Sequence, residues 1–264
     1  MKDPLYFKLA PRQTLMISAI TSVLVIALWA VATLSGWIKP LFLPSPVAVL
    51  QRIQQLFVEG FANSTLIEHT WASLFRVFGA FFLACITAIP IGIFMGINDM
   101  FKGILDPLIE FYRPLPPLAY LPLIIIWLGI GEMAKIVLIY LAIFAPVCLS
   151  TRAGVRSVAR EKVLAASTLG ASRLQIIRHI VIPGALPEIL TGIRVGIGFG
   201  WTTLVAAEMV AATAGLGFMV LNAKDFLATD VVVSGIFVIG LIAYGFDLLM
   251  RGLERWWVPW KGKG

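Results

Sequence analysis

An arginine and a glutamate within one long apolar run are the side chains of this sequence best placed to do chemistry. Between Ile189 and Ala212 the chain is apolar except for Arg194 and Glu208, with Trp201 midway between them. Charge at membrane depth is costly and is turned toward a bundle interior, a watery cavity or a counter-charge. At 100° per residue, Arg194, Trp201 and Glu208 fall within about 40° of one another on one helix face. Gly192, Gly196 and Gly200 lie broadly opposite, as overlapping small-x-x-x-small pairs that allow close helix packing. Trp201 is about 18 Å along the helix from Ile189, near a midplane rather than at an interface. The stripe reads as a polar, cation-tolerant pathway face, with structural ion pairing to another span as the rival.

A second group is built from proline. Pro114, Pro116, Pro117 and Pro122 interrupt helix hydrogen bonding inside an apolar segment. Freed backbone groups at membrane depth are tolerated where protein or a watery cavity satisfies them. Pro116 and Pro117 are therefore candidates for a broken helix beside the pathway, and Glu110 and Arg113 are spaced to pair just before it. Enzymatic groupings are missing. His69 and His179 have no metal-ligand spacing, and Cys85 and Cys148 sit in apolar runs as small hydrophobes. No Gly-x-x-x-x-Gly-Lys-Ser/Thr phosphate loop is present, so ATP chemistry belongs elsewhere.

The elements that must position these residues follow from composition. Of 264 residues, 59% are hydrophobic and 13% charged, against about 25% charged in a soluble domain. A mean hydropathy of +0.94 fits a polytopic all-α membrane protein and excludes a soluble, disordered or disulfide-scaffold chain. The net charge of +7 reflects loop charge rather than a nucleic-acid partner. Six apolar runs of spanning character occur: 14–34, 77–97, 114–131, 136–151, 189–212 and 231–246. The first exceeds the usual signal-peptide core and reads as a retained helix. With the N-terminus inside, fifteen basic residues fall on cytoplasmic segments and five (Lys39, Arg52, Arg76, Lys135, Lys224) on outer ones. The positive-inside rule then places both termini in the cytoplasm.

Three segments lie outside the spans. Ser45-Pro46 is a helix start, followed by Val47, Leu50, Ile53 and Phe57 at helical spacing. The tail carries Trp256, Trp257 and Trp260 among basic residues and reads as an interfacial anchor. The segment from Arg152 to Glu188 is longer than a hairpin between adjacent helices needs. It predicts a short helix over 156–169 stopped by Gly170, then a second, capped by Ser172, that ends before Pro183. Such a compact basic body is either a docking surface or a solvated loop.

Ala165-Ala166, Gly170, Ile180 and Ile182-Pro183 in that segment resemble the EAA motif of bacterial ATP-binding-cassette importer permeases. Leu164 stands at the motif's glutamate, with Glu161 one turn earlier. Leu105 to Gly131 (LDPLIEFYRPLPPLAYLPLIIIWLGIG), Gly184 to Val220 and Phe226 to Asp230 (FLATD) are similar to permeases of taurine ABC transporters. Relatives for alkanesulfonates, nitrate and bicarbonate share that architecture. The resemblance implies a type I importer permease fold of six transmembrane helices in the bacterial inner membrane. It implies a non-catalytic chain without cofactor, a cytoplasmic N-terminus over 1–13 and a transmembrane domain over 14–264. Within that domain lie a coupling loop over 152–188 and an interfacial tail over 247–264. Glu161, Ala165, Ala166, Gly170, Arg173, Ile180 and Pro183 would then face two cytoplasmic ATPase subunits that hold ATP and Mg. A second, identical permease chain and a periplasmic binding protein would complete the assembly. A secondary transporter or channel is the competing class; it predicts internal repeats and midplane coupling-ion residues, which the sequence does not display.

Overall fold

The computed structural model describes residues 10–259 of the chain. Trp260 and the basic residues Lys2, Lys8, Lys261 and Lys263 lie outside the described residues. The described part is helical throughout, with a single isolated backbone bridge between Phe61 and Ser64.

Three long helices form the core: α3 (Leu66–Ile97), α6 (Glu132–Ser157) and α9 (Ile182–Ala211). They approach closely because glycines face backbone. A Cβ at Gly92 would meet the Cys148 carbonyl oxygen at 2.6 Å, and one at Gly196 would meet that of Ile143 at 3.1 Å. Gly192 rests on Ser150 and Gly200 on Ile143. The small-residue face expected of α9 is thus its contact with α6. Cys148 is buried in this interface and Cys85 half-buried, both as free thiols.

Helix α1 (Pro11–Leu34) exposes most of its apolar surface and is tied near its end. There Trp29 Nε1 donates to the Pro44 carbonyl at 3.0 Å, and its ring stacks on Phe237. Helix α2 (Pro46–Val58) starts as its sequence predicts, with the Ser45 hydroxyl accepting from the Ala48 N–H and Pro46 in the first turn. The side it packs on protein is not the Val47–Leu50–Phe57 stripe. Val49 and Leu56 are buried, whereas Val47, Leu50 and Phe57 are exposed. The helix is apolar on two sides, and spacing alone does not say which meets protein.

The third expected span is broken. Helix α4 (Asp99–Tyr112) and helix α5 (Pro117–Leu128) meet at 105° across 113–116. Pro116 and Pro117 open α5, while Pro122 stays inside it. At 1.5 Å per residue α5 is about 18 Å long and does not cross a bilayer alone. Among the described residues five helices are long and apolar enough to span, and the bent pair, taken as one span, makes a sixth. The observed helices also outrun the apolar runs. Helix α3 begins at Leu66 rather than 77, because Glu68 caps its first turn at Thr65, His69 meets the Phe61 carbonyl and Arg76 meets Glu208 on α9, so none of them need lie outside it.

The body between α6 and α9 differs from expectation at both ends. Helix α6 continues to Ser157, so the first short helix is α7 (Arg160–Thr168). Gly170 ends it at φ +82°, a left-handed conformation that favours glycine. Ser172 caps α8 (Arg173–Ile176) by accepting from Gln175 N–H. The second helix does not end before Pro183. A π-turn over Ile177–Val181, with Ile182 N–H donating to the Ile177 carbonyl, shifts the hydrogen-bond register just before the proline. The widened turn accommodates a residue without an N–H, so α8 runs into α9 without interruption. Helix α10 (Leu216–Asp225) comes next, and α11 (Thr229–Trp257) carries the expected tail as its own last turns. Trp256 and Trp257 are exposed there.

Candidate functional site

The bundle has a loop end, where α7 projects, and a far end, where α6 begins and α9 finishes. The two ends treat polar residues in opposite ways.

At the far end Glu208 is fully buried, with no exposed surface. Its carboxylate accepts from Ser73 Oγ and Arg76 Nη1, each at 2.7 Å, and from the Gly217 N–H at 2.8 Å. Arg76 also donates to the Ala214 carbonyl and forms a two-pronged pair with Glu132, which Lys135 joins at 2.7 Å. His69 Nδ1 accepts from the Gly215 N–H, and Ser73 Oγ from that of Leu216. Side chains of α3 and α9 thereby satisfy the orphan donors at the start of α10. A buried guanidinium tolerates this site because both its forks find carboxylates.

Arg194, nearer the loop end, turns to α11. It contacts Asp247 and Glu254, each at 3.1 Å, while Arg251 holds the other oxygen of Asp247. Trp201 is 6% exposed within the main core, and its indole Nε1 has no acceptor among the described residues. The three residues expected to share a pathway face do share a helix face, but Trp201 and Glu208 look into protein, and Arg194, half-buried, borders a depression with Arg251, Glu254 and Arg255. Arg194 meets α11, Glu208 meets α3, and Trp201 packs between. The ion-pairing alternative describes the geometry, because charged groups facing each other across helices neutralise more cheaply than charges facing an open channel.

An open cavity lies on a different side of α9. It has a volume of about 500 Å³ and is bounded by the α4–α5 elbow, α6 and α9. Pro114, Pro116 and Pro117 form one wall, so the expected broken helix does border a cavity. Opposite are Ser150 on α6 and Glu188, Val195 and Phe199 at helical spacing on α9. Tyr112 and Tyr120 add hydroxyls, and Arg113 adds a cation beside Glu110 at 3.3 Å, the expected pair. Arg152 on α6 binds Asp106 and approaches Glu110, and Arg156 binds Asp99, so the elbow is fixed to the core at the loop end. Sequence alone does not single out Glu188, because it sits at the border between the loop and the fifth apolar run. A helical wheel extended one turn further places it in line with Val195 and Phe199.

The loop body presents an exposed surface. Glu161, Ala165 and Arg173 are exposed, Ala166 and Ile180 half-buried, and Gly170 forms the corner. Ile180 and Pro183 line a depression with Lys162 and His179. Leu164, Leu169 and Leu174 expose large apolar surfaces on the same body. The leucine in the motif's glutamate position is one of them.

Known proteins are similar to this chain in sequence or in fold. Residues 88–259 match the family described as binding-protein-dependent transport system inner membrane component. The chain is 54% identical to the taurine transport system permease protein TauC of Escherichia coli K12, covering 96% of this chain and 92% of that one. It is 35% identical to the putative aliphatic sulfonates transport permease protein SsuC of the same organism, over 89% and 88% of the two chains. Among solved structures, a chain of the MetNI methionine ABC transporter in an inward-facing conformation superposes with a TM-score of 0.63. The match has 18% identity and covers 73% of this chain and 95% of that one.

Proposed function

The chain belongs to the binding-protein-dependent transport system inner membrane components, and from that membership we propose that it lines the route by which an ATP-binding-cassette importer admits taurine or a closely related small sulfonate. As a permease it is a transport component of the inner membrane. The cavity at the α4–α5 elbow carries the reading. It is the place where a spanning element is broken, where polar groups stand beside apolar walls, and where α9 offers a face not packed on protein. The solute follows from the likeness to a taurine permease along nearly the whole chain.

The mechanism begins on the loop body. Two cytoplasmic subunits holding ATP and Mg would seat on α7 and α8, where exposed Leu164, Leu169 and Leu174 offer apolar anchors rimmed by Arg160, Lys162 and Arg173. From Arg173 to Val210 the helix is continuous, about 57 Å at 1.5 Å per residue. Displacement of the body is therefore passed along α9, with the π-turn as its point of compliance. Glycine-mediated packing makes α6 follow α9, and the ion pairs of Arg152 and Arg156 tie α4 to α6, so the cavity changes by movement of this body against the α5 arm of the elbow. A second copy of the chain would close the exposed side of the cavity, and a periplasmic binding protein would load it from the far end. The fifteen-to-five distribution of basic residues puts the loop end and both termini in the cytoplasm.

Uptake of labelled taurine in cells lacking their own system, with this chain co-expressed with its ATPase and binding protein, tests the assignment. Saturable uptake that unlabelled taurine abolishes, and that longer alkanesulfonates and nitrate reduce less, is the expected result. Uptake driven by an ion gradient without ATP would instead mark a secondary transporter.

A further inference from the structure

Among the acidic residues of α6, α9 and α11, Glu188 stands apart. Glu132 is held by Arg76 and Lys135, Glu208 by Arg76, Asp230 by Arg52, and Asp247 and Glu254 by Arg194. Glu188 has neither an ion pair nor a hydrogen bond among the described residues, and it is exposed to the cavity that it lines. Its stem is not free to leave. Gly154 sits against it so closely that a Cβ there would meet the Glu188 Cβ at 2.8 Å. Arg113, half-exposed beside Glu110, lines the same cavity from the elbow, so the walls carry one anionic and one cationic residue together with the polar residues Tyr120 and Ser150.

An uncompensated carboxylate in a membrane protein is expensive to keep and repels an anionic solute. A solute carrying its own cation removes both objections. We propose that Glu188 receives the ammonium group of a zwitterionic aminosulfonate whose sulfonate turns toward Arg113, so that the permease selects for the amine independently of the binding protein. The inference rests on the cavity being the solute route, and it narrows the solute from small sulfonates in general to those bearing a cationic nitrogen. Plain alkanesulfonates, nitrate and bicarbonate lack the group that Glu188 would hold.

The discriminating pair of probes is taurine and 2-hydroxyethanesulfonate, which replaces the ammonium by a hydroxyl at nearly the same size. Binding of each is measured by equilibrium dialysis on the purified permease–ATPase complex without binding protein. The wild type should prefer taurine by about tenfold, the size expected of one charge-assisted hydrogen bond in a hydrated cavity. Glu188→Gln should bind both probes alike, and Glu188→Asp should retain the preference. Equal binding of the two probes by wild type overturns the proposal. So does a parallel loss of both in Glu188→Gln, or a loss of ATPase co-purification with the preference intact, since that would make Glu188 an assembly residue. Absence of saturable taurine binding by a complex that imports taurine in cells also overturns it and leaves the transport assignment standing. Failure of uptake itself would sink that assignment instead.

Discussion

The two ends of α9 carry the same kinds of residue and use them differently. At the far end Glu208 is sealed from solvent and accepts three hydrogen bonds from α3 and the start of α10. Near the loop end Glu188 makes none among the described residues and faces a cavity of about 500 Å³. The first is what a charge does when it holds helices together, the second what it does when something else must come to it. Both are single glutamates on α9, one inside the fifth apolar run and one at its border, and their chemistry is decided by neighbours on α3 and on the α4–α5 elbow. An ionisable residue in a span is therefore a pointer to polar surroundings, and its partners say whether those surroundings are protein or ligand.

The largest expected effect tests the far end. Arg76→Ala leaves Glu208 and Glu132 facing each other without their shared cation, and Glu208 has no access to water. Removing one partner of such a buried pair costs about 3–5 kcal/mol. The variant should be recovered in low yield with a strongly lowered melting temperature in detergent, by size-exclusion fluorescence after heating. Arg76→Met combined with Glu208→Gln should regain much of the loss, because no buried charge is then stranded at Glu208. A melting temperature for Arg76→Ala near that of wild type would show that the far end is open, and the contrast with the loop end would fail.

The next test compares faces of α9 in one assay. In a background with Cys85 and Cys148 replaced, Val195→Cys and Phe199→Cys should react with a small aqueous thiol reagent, and Trp201→Cys should react at least about tenfold more slowly. Thiolate formation requires a polar, accessible setting, which the cavity supplies and the core does not. Reactivity at 195 and 199 should also change on adding ATP or binding protein, as access alternates between the two sides. Rapid labelling at 201 with 195 and 199 inert would return the pathway to the Arg194–Trp201–Glu208 stripe.

What the sequence discloses is uneven for identifiable reasons. Local chemistry is legible. Ser45 before Pro46 caps α2, Gly170 takes a positive φ, and the prolines after Tyr112 break a span, because each depends on a residue and its immediate neighbours. The glycine face of α9 is legible too, since close packing leaves a spaced signature. Direction is not. The wheel puts Arg194, Trp201 and Glu208 on one side of a helix, but nothing in it says whether that side meets α3 and α11 or a cavity. Arg76 is hidden by the hydropathy boundary, which stops at a charge even when the helix does not. The continuity past Pro183 is hidden because a π-turn has no sequence signature as plain as a cap.

The smallest expected effect falls between the two ends, on Arg194. Its contacts to Asp247 and Glu254 are as short as many buried pairs, at 3.1 Å, but its side chain is 30% exposed and Asp247 is 32% exposed. Water and salt screen such a pair, and its worth is roughly 1 kcal/mol or less. Arg194→Gln keeps most of the aliphatic stem and retains a hydrogen-bond donor. A shift in melting temperature of about 2–4 °C per kcal/mol applies to a chain of this size, so the change should be a few degrees at most. It should also shrink when the salt concentration is raised, whereas the loss in Arg76→Ala should not, because a fully buried pair lies beyond the reach of mobile ions. If Arg194→Gln destabilised the protein as much as Arg76→Ala, and with the same indifference to salt, the loop end would be as closed as the far end.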